Sequence, residues 1–388
     1  MQKDFHYYAT YCAAFLAGYS HQEALEICYC AQYVDWCSVT VLSRLKAPRA
    51  AATTQLQLEL MNARTDLLGL QDITRIWSSF HFLPYQLKPN LTKRTRQYMN
   101  KYSLICNVNG DLVVDTVNLA KGRSLQAVGV AMHVLADTWA HRYFAGTPSL
   151  VINNTNYHFF ELLGEGRQLE ERRITFRHSA SEPDDLEHSI YTNTIFQSSE
   201  HSIMNLGHGR AGHLPDYSFM RYKYLPAWGE YEEIVKNNPS DYLNAFCQMI
   251  YAMKYLRGVE PSFEKERYDV EAIAPWEERI RAILTRRQPD ACEDWRRLGE
   301  EMSGESIEDF VLEKYEEEYL SAPKEAKDST FLGKFFLAAL AQKSMVTSRI
   351  FKSGNLLAGY SVDYLGEGGL KGIRDYFRLV QQSREESP

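Results

Sequence analysis

The stretch His133-Val-Leu-Ala-Asp137-Thr-Trp-Ala-His141 places three potential ligand side chains at intervals of four residues. Four residues of α-helix advance by about 400° and about 6 Å, so each of these side chains lies only about 40° around the helix from the previous one. The surrounding residues are mainly apolar and predict a helix from Gly122 to Phe144, with Ser124 as its N-cap. We therefore expect a central helix with two imidazoles and one carboxylate along one face.

This histidine and aspartate pattern has two explanations. Imidazole nitrogens and carboxylate oxygens bind zinc in proteins, and a central carboxylate can bridge two metal ions about 3.5–4 Å apart. A hydrogen-bonded His–Asp pair beside an uninvolved histidine would give the same spacing. Other polar residues in apolar or aromatic surroundings favour metal binding, because a buried polar group needs a partner. These further candidate ligands are His6, Asp35, His81 and His208.

The order of these residues resembles the zinc-dependent phospholipase C and P1-type nuclease superfamily. In that all-α fold an early His, an Asp, a His and an H-x-x-x-D pair on a central helix, with further histidines, bind three zinc ions. The corresponding residues here, in the same order, are His6, Asp35, His81, His133 and Asp137. The phrases DFHYYATY at 4–11 and GHGRAGHLPD at 207–216 look closer still to an uncharacterised bacterial branch of this superfamily. The resemblance in motifs covers roughly residues 1–230.

The resemblance implies an all-α multi-helix bundle and two or three bound zinc ions. One ion would be held by Asp35, His81, His133 and Asp137. Asp137 would also bridge to a second ion, which His6 would serve. In the relatives, the amine of the first residue completes this second site. Here either the Met1 amine or the Asp4 carboxylate would have to take that place.

The third zinc site is where this sequence departs from the superfamily pattern. By resemblance, His141 and His208 would bind this ion. The superfamily then expects an acidic residue four positions after the second histidine, where this chain has glycine. His213 and Asp216, a few residues later, are candidates for the missing ligand. His158, in the sequence HFFE, is a further candidate.

The resemblance also implies a reaction, the hydrolysis of a phosphodiester or phosphomonoester in the manner of a phospholipase C or a nuclease. A zinc cluster lowers the pKa of a bound water and neutralises charge on the phosphoryl group. Asp35 or Asp137 would orient or deprotonate the water. Arg142 and Arg210 lie near the ligand segments and are candidates for binding substrate, because a guanidinium can donate two parallel hydrogen bonds to phosphate. We expect a small phosphate ester or a lipid head group as substrate.

Two other functions remain open at this point. An HD-type metal phosphohydrolase is also all-α and rich in histidine, but it uses an adjacent His-Asp pair, and this chain has no His-Asp dipeptide. A helical binding or scaffold protein with structural zinc would need no catalysis. Structural zinc sites are coordinatively closed and usually contain cysteine, whereas none of the candidate ligands here is cysteine.

Composition limits the partners and the compartment of the 388-residue chain. The net charge of −7 disfavours binding to a long nucleic acid. An odd number of cysteines, seven, predicts reduced thiols. With no evident secretory signal or membrane span, we expect a cytoplasmic protein, and delivery by a specialised secretion system remains open. Residues 1–232 would form the metal-site core with a long irregular segment at 147–232, and 233–388 would add helices to that core.

Overall fold

A computed structural model gives the fold of most of the chain. It describes residues 1–56, 58–60, 67–89, 94–155, 158–164, 169–177, 186, 190–191, 207–230 and 232–358. The described fold is mainly helical, with a small antiparallel sheet. The predicted all-α class is therefore wrong in one respect, because the chain also forms strands.

The first part of the chain contains the helices that carry most of the candidate ligands. A π-helical turn at Asp4–Ala9 continues directly into α1 (Thr10–Leu16). The helices that follow include α2 (His21–Tyr33), α3 (Val39–Arg44), α4 (Leu67–Phe80), α5 (Arg96–Tyr102), α6 (Asp111–Ala120) and α7 (Leu125–Ala140). A 3₁₀ turn lies at Arg49–Ala51.

The second part adds two short helices and then a group of longer ones. The short helices are α8 (Leu150–Asn153) and α9 (Gly207–Ala211). The longer ones are α10 (Asn238–Arg257), α11 (Glu277–Thr285), α12 (Cys292–Ser303), α13 (Leu312–Ser321) and α14 (Phe331–Lys352). A 3₁₀ turn at Lys324–Ser329 precedes α14. Among the described residues, none of these helices is both long and apolar enough to cross a membrane.

A local sequence signal explains where α2 begins. The Ser20 hydroxyl accepts a hydrogen bond from the backbone N–H of Glu23, and the Glu23 carboxylate accepts one from the backbone N–H of Ser20. This reciprocal capping box starts α2. Ser124 occupies the N-cap position of α7, which ends at Ala140 and not at the predicted Phe144.

A glycine allows α7 to pack closely against α2. A Cβ atom at Gly129 would lie 2.5 Å from the carbonyl oxygen of Ile27 and 2.6 Å from the Cβ of Cys30. Real Cβ atoms do not approach other heavy atoms so closely, so glycine permits a separation between these helices that other residues would widen. The contact brings α7, which carries His133 and Asp137, directly against α2, and Asp35 follows two residues after the end of α2.

One large apolar core joins both parts of the chain. Phe335 of α14 packs edge-on against Tyr33 at the end of α2, with 4.7 Å between the ring centroids. Near the amino terminus, Phe5 packs against Tyr242 of α10 at 4.9 Å and Trp295 of α12 at 6.2 Å. The C-terminal helices therefore contribute to the same core as the helices that carry the candidate ligands.

The strands lie within or just after the segment 147–232, which we expected to be irregular. Strands β1 (Phe159–Leu163), β2 (Glu170–Arg173), β5 (Arg221–Tyr224) and β6 (Ile234–Asn237) form an antiparallel sheet in the order β2-β1-β5-β6. The two-residue strands β3 (Phe176–Arg177) and β4 (Ile190–Tyr191) form a separate parallel pair. In β5 the residues Arg-Tyr-Lys-Tyr alternate, with Tyr222 and Tyr224 buried. Such a short alternation is a weak signal against a polar background.

Candidate metal centre

The carboxylate of Asp137 lies at the centre of a buried cluster of nitrogen atoms. Its Oδ1 is 2.8 Å from the α-amino nitrogen of Met1 and 3.1 Å from Nε2 of His6. Its Oδ2 is 3.0 Å from Nδ1 of His81 and 3.2 Å from Nε2 of His133. All of these side chains are buried. Each oxygen of Asp137 thus faces a different pair of nitrogen atoms, the arrangement expected of a bridging carboxylate.

Asp35 completes one half of this cluster. Its Oδ1 lies 3.9 Å from Nδ1 of His81 and 3.9 Å from Nε2 of His133. The ligand atoms of these three residues all lie within 4.8 Å of one another. We call Asp35, His81, His133 and Asp137 the main site. The Asp35 side chain is 29% exposed and that of Asp137 is 1% exposed, so the main site is reached from the side of Asp35.

Backbone carbonyls fix the orientation of the two main-site histidines. Nε2 of His81 lies 3.0 Å from the carbonyl oxygen of Thr53, and so it carries the proton. Nδ1 of His133 lies 2.8 Å from the carbonyl oxygen of Ala31 and carries the proton of that ring. In neutral rings the other nitrogens, Nδ1 of His81 and Nε2 of His133, are therefore lone-pair acceptors. These two acceptor atoms face each other at 3.3 Å, beside the carboxylate of Asp137.

This donor set fits a zinc ion. Two lone pairs that face each other next to a carboxylate repel, and a cation between them removes that repulsion. Two imidazole nitrogens and two carboxylates are ligands that zinc accepts. Histidines that bind metals also usually donate their second N–H to a carbonyl or a carboxylate, as His81 and His133 do here. A second proton on one ring is the alternative way to relieve the repulsion.

His6 lies in the π-helical turn at Asp4–Ala9, and its ring reaches the Asp137 cluster from there. A π-helix has wider turns than an α-helix and is frequently found at functional sites. The hydroxyl of Thr10 donates to the carbonyl oxygen of Phe5 at 3.1 Å and so satisfies one of the backbone groups of this turn. The ring of His6 stacks on that of His133, with 3.8 Å between centroids. No short-range sequence pattern distinguishes this π turn from an ordinary α-helix.

The charges of the centre depend on burial and on the close contacts. Burial alone would raise the pKa of Asp137, but the nearby histidines and the Met1 amine hold it well below its usual range. Burial alone would lower the pKa of the Met1 amine, but Asp137 and Asp216 raise it to about 10. Burial raises the pKa of Asp35 and lowers that of His6. A metal ion bound at the amine would have to displace a proton.

A second group of ligand atoms lies next to the Met1 amine. Nδ1 of His141 lies 2.8 Å from the carbonyl oxygen of His81 and carries the proton, so in the neutral ring Nε2 is the acceptor nitrogen. This Nε2 lies 3.2 Å from the Met1 nitrogen and 3.5 Å from Oδ1 of Asp216. We call His141 and Asp216 the third site. His213 lies behind it, with Nδ1 at 3.3 Å from Oδ2 of Asp216.

The structure places two other predicted ligands away from Asp137. Oδ2 of the buried Asp4 accepts a hydrogen bond from the backbone N–H of Ala291 at 3.0 Å. Of the two groups proposed to complete the second zinc site, the amine therefore lies at the centre and Asp4 does not. Nε2 of His158 contacts the Glu233 carboxylate at 2.8 Å on the exposed surface of the sheet. The backbone of His208 lies in α9, but its side chain is outside the described residues.

The two arginines predicted to bind substrate have protein partners. Arg142 donates to Oδ1 of Asp241 at 3.1 Å and to the hydroxyl of Tyr143 at 2.6 Å. The buried Arg210 donates to Oδ1 of Asn154 at 3.0 Å. A phosphate-binding role would require either guanidinium to change partners, and for both it stays a prediction.

Comparison with known proteins assigns a family but no activity. The chain belongs to DUF6765, a family of unknown function, which matches residues 1–350. The comparisons with curated proteins and with solved structures find no match. The family match includes every residue of the centre and all of the helices described above except the last two residues of α14.

Proposed function

We propose that this member of the DUF6765 family is a zinc-dependent hydrolase of phosphate esters. The main support is the pair of facing acceptor nitrogens of His81 and His133, held by backbone carbonyls beside Asp137. The donors are nitrogen and oxygen atoms only, and Asp35 is partly exposed. Catalytic zinc sites keep an open position, whereas structural sites are closed and usually contain cysteine. These features favour catalysis over a purely structural role.

The residues of the main site would divide the work of hydrolysis. Zinc bound there would supply a water of lowered pKa and a positive charge opposite the phosphoryl group. His81 and His133 would hold their ligand nitrogens in fixed directions, because their N–H groups are bound to carbonyls. The buried Asp137 would connect the main site to His6, because one of its oxygens faces His81 and His133 and the other faces His6. Asp35 is the more exposed of the two main-site carboxylates, at 29% against 1% for Asp137, so it is the carboxylate placed to orient the water on the substrate side.

The proposed substrate is a small phosphodiester or phosphomonoester, including a lipid head group. The net charge of −7 would repel the many phosphates of a long nucleic acid. A zinc-stabilised binding or scaffold protein, built on the same centre without hydrolysis, is the alternative outcome of the experiment.

Metal analysis combined with an activity assay tests this proposal. Protein purified without any chelator should carry two or three zinc ions per chain and hydrolyse bis-p-nitrophenyl phosphate or p-nitrophenyl phosphate. Chelation should remove both properties, and added zinc should restore them. His81→Gln should lower the zinc content, whereas His158→Gln, the matched exposed control, should not. Protein without any transition metal would sink the proposal, and zinc without hydrolysis of either ester would favour the scaffold alternative.

A further inference from the structure

The C-terminal end of α7 is held by a buried ion-pair network. The final carbonyl groups of a helix have no partner within the helix. Nζ of Lys236, in β6, donates to the carbonyl oxygen of Trp139 at 2.8 Å. The fully buried ammonium is paired with Oδ2 of Asp241 at 2.6 Å, and Oδ1 of Asp241 accepts from Arg142 at 3.1 Å. Trp139 and Arg142 lie on either side of His141 in the chain, so this network fixes the backbone on both sides of a candidate third-site ligand.

The first turn of α10 also holds the segment that carries the other third-site ligand. The side-chain amide of Asn238 donates to the carbonyl oxygens of Leu214 and Tyr217, each at 2.8 Å. The hydroxyl of Tyr242 donates to the carbonyl oxygen of Asp216 at 2.8 Å. Asp241 belongs to the same turn. A single helical turn is thus bonded to the segments of both His141 and Asp216.

Stability alone is a weak reason for burying Lys236. Taking an ammonium and a carboxylate out of water is unfavourable, and apolar replacements of buried ion pairs are often neutral or stabilising. Burial, opposed by the Asp241 charge, lowers the pKa of Lys236 to about 8. The Lys236–Asp241 pair instead fixes the position of the end of α7 relative to β6 and α10.

We propose that Lys236 and Tyr242 are positioning residues for a metal ion at the third site, acting by setting the separation of His141 and Asp216. This inference rests on the proposed zinc centre. The main site should be less sensitive, because His81 and His133 are oriented by Thr53 and Ala31, which lie outside this network. Loss of the network should therefore weaken one metal ion and leave the others in place.

Zinc titration of two variants tests the inference. Lys236→Met removes the ammonium, and Tyr242→Phe removes only a hydroxyl while keeping the ring. After dialysis against a weak chelator, each variant should lose about one zinc ion, or bind it at least about tenfold more weakly, the usual effect of removing a partner behind a ligand. Lys254→Met is the control, because Lys254 lies on the same helix and pairs with Asp269 at 2.5 Å, with no contact to either segment. It should keep the wild-type zinc content.

The outcomes separate this inference from the proposed function. Wild-type protein without zinc would overturn both. Zinc in the wild type together with unchanged affinity for every ion in Tyr242→Phe would overturn only the positioning role, even if Lys236→Met failed to fold. A merely structural role would lower the unfolding temperature of the metal-free variants and leave the number of bound ions unchanged.

Discussion

The main site and the third site share the helix α7 but are assembled in different ways. The main-site histidines are oriented by carbonyls from residues 31 and 53, and α7 packs directly on α2 at Gly129. The third site depends on Asp216, whose segment is held by α10, and on the end of α7, which is held by Lys236. The main site is therefore built into the helical core, whereas the third site exists only where the sheet, a loop and two helices meet.

The largest expected effect comes from Asp137, which belongs to both halves of the cluster. Asp137→Asn keeps the side-chain volume but removes a charge that faces four nitrogen atoms. We expect hydrolysis of bis-p-nitrophenyl phosphate to fall more than about 100-fold, beyond the loss typical of outer partners, and the zinc content to fall at both halves. Asp115→Asn, on the neighbouring helix α6 and paired with Arg349, is the control. Near wild-type turnover in Asp137→Asn would show that Asp137 is not a bridging ligand.

Gly129→Ala tests how closely α7 packs on α2, because close packing and helix propensity predict opposite changes in the free energy of unfolding. Alanine normally stabilises a helix by about 1 kcal/mol relative to glycine. Here the added Cβ would meet Ile27 and Cys30, so we expect a loss of about 1–3 kcal/mol in the free energy of unfolding, typical of overpacking. Since Ala31 orients His133, zinc affinity at the main site should fall as well. Urea unfolding measures the first effect, and a stabilised variant would contradict the close approach of the two helices.

The two sites also differ in how far they can be predicted from the sequence. The capping box at Ser20 and the central helix follow from short-range spacing, whereas the candidate ligand set of the main site follows from a resemblance in the order of residues. The π turn at His6 leaves no such signal, and the strands are too short for their alternation to stand out. Lys236 was missed because a single lysine has no recognisable spacing to the helix end that it contacts. Long-range contacts that assemble the third site are set by tertiary packing, which one sequence does not display.

Lys236 should also change the pH dependence of the free energy of unfolding of the metal-free protein. Burial lowers its pKa from the ordinary value of 10.5 to about 8 in the folded chain, so between these values the unfolded state binds more protons. Stability therefore rises with pH across this window, by at most about 3 kcal/mol at 1.36 kcal/mol per pKa unit. Urea unfolding at pH 7.5 and pH 10 should show a more favourable change of stability in the wild type than in Lys236→Met. The opposite contribution of the Met1 amine, whose pKa Asp137 and Asp216 raise to about 10, is common to both proteins. Equal pH dependence in the two proteins would mean that Lys236 is not buried as a charge.

The smallest effect is expected at Asp4, and it tests which group completes the second zinc site. Asp4 lies two residues from His6 in sequence, but its carboxylate accepts from the backbone of Ala291 and does not contact Asp137. The Met1 amine lies 2.8 Å from Asp137 instead. Asparagine at position 4 can still accept the Ala291 hydrogen bond through its amide oxygen. Asp4→Asn should therefore keep the full zinc content and hydrolyse phosphate esters within about twofold of the wild type, less than the tenfold change expected for a residue that supports a ligand. Loss of one zinc ion in this variant would instead assign the Asp4 carboxylate to the second site and remove the amine from it.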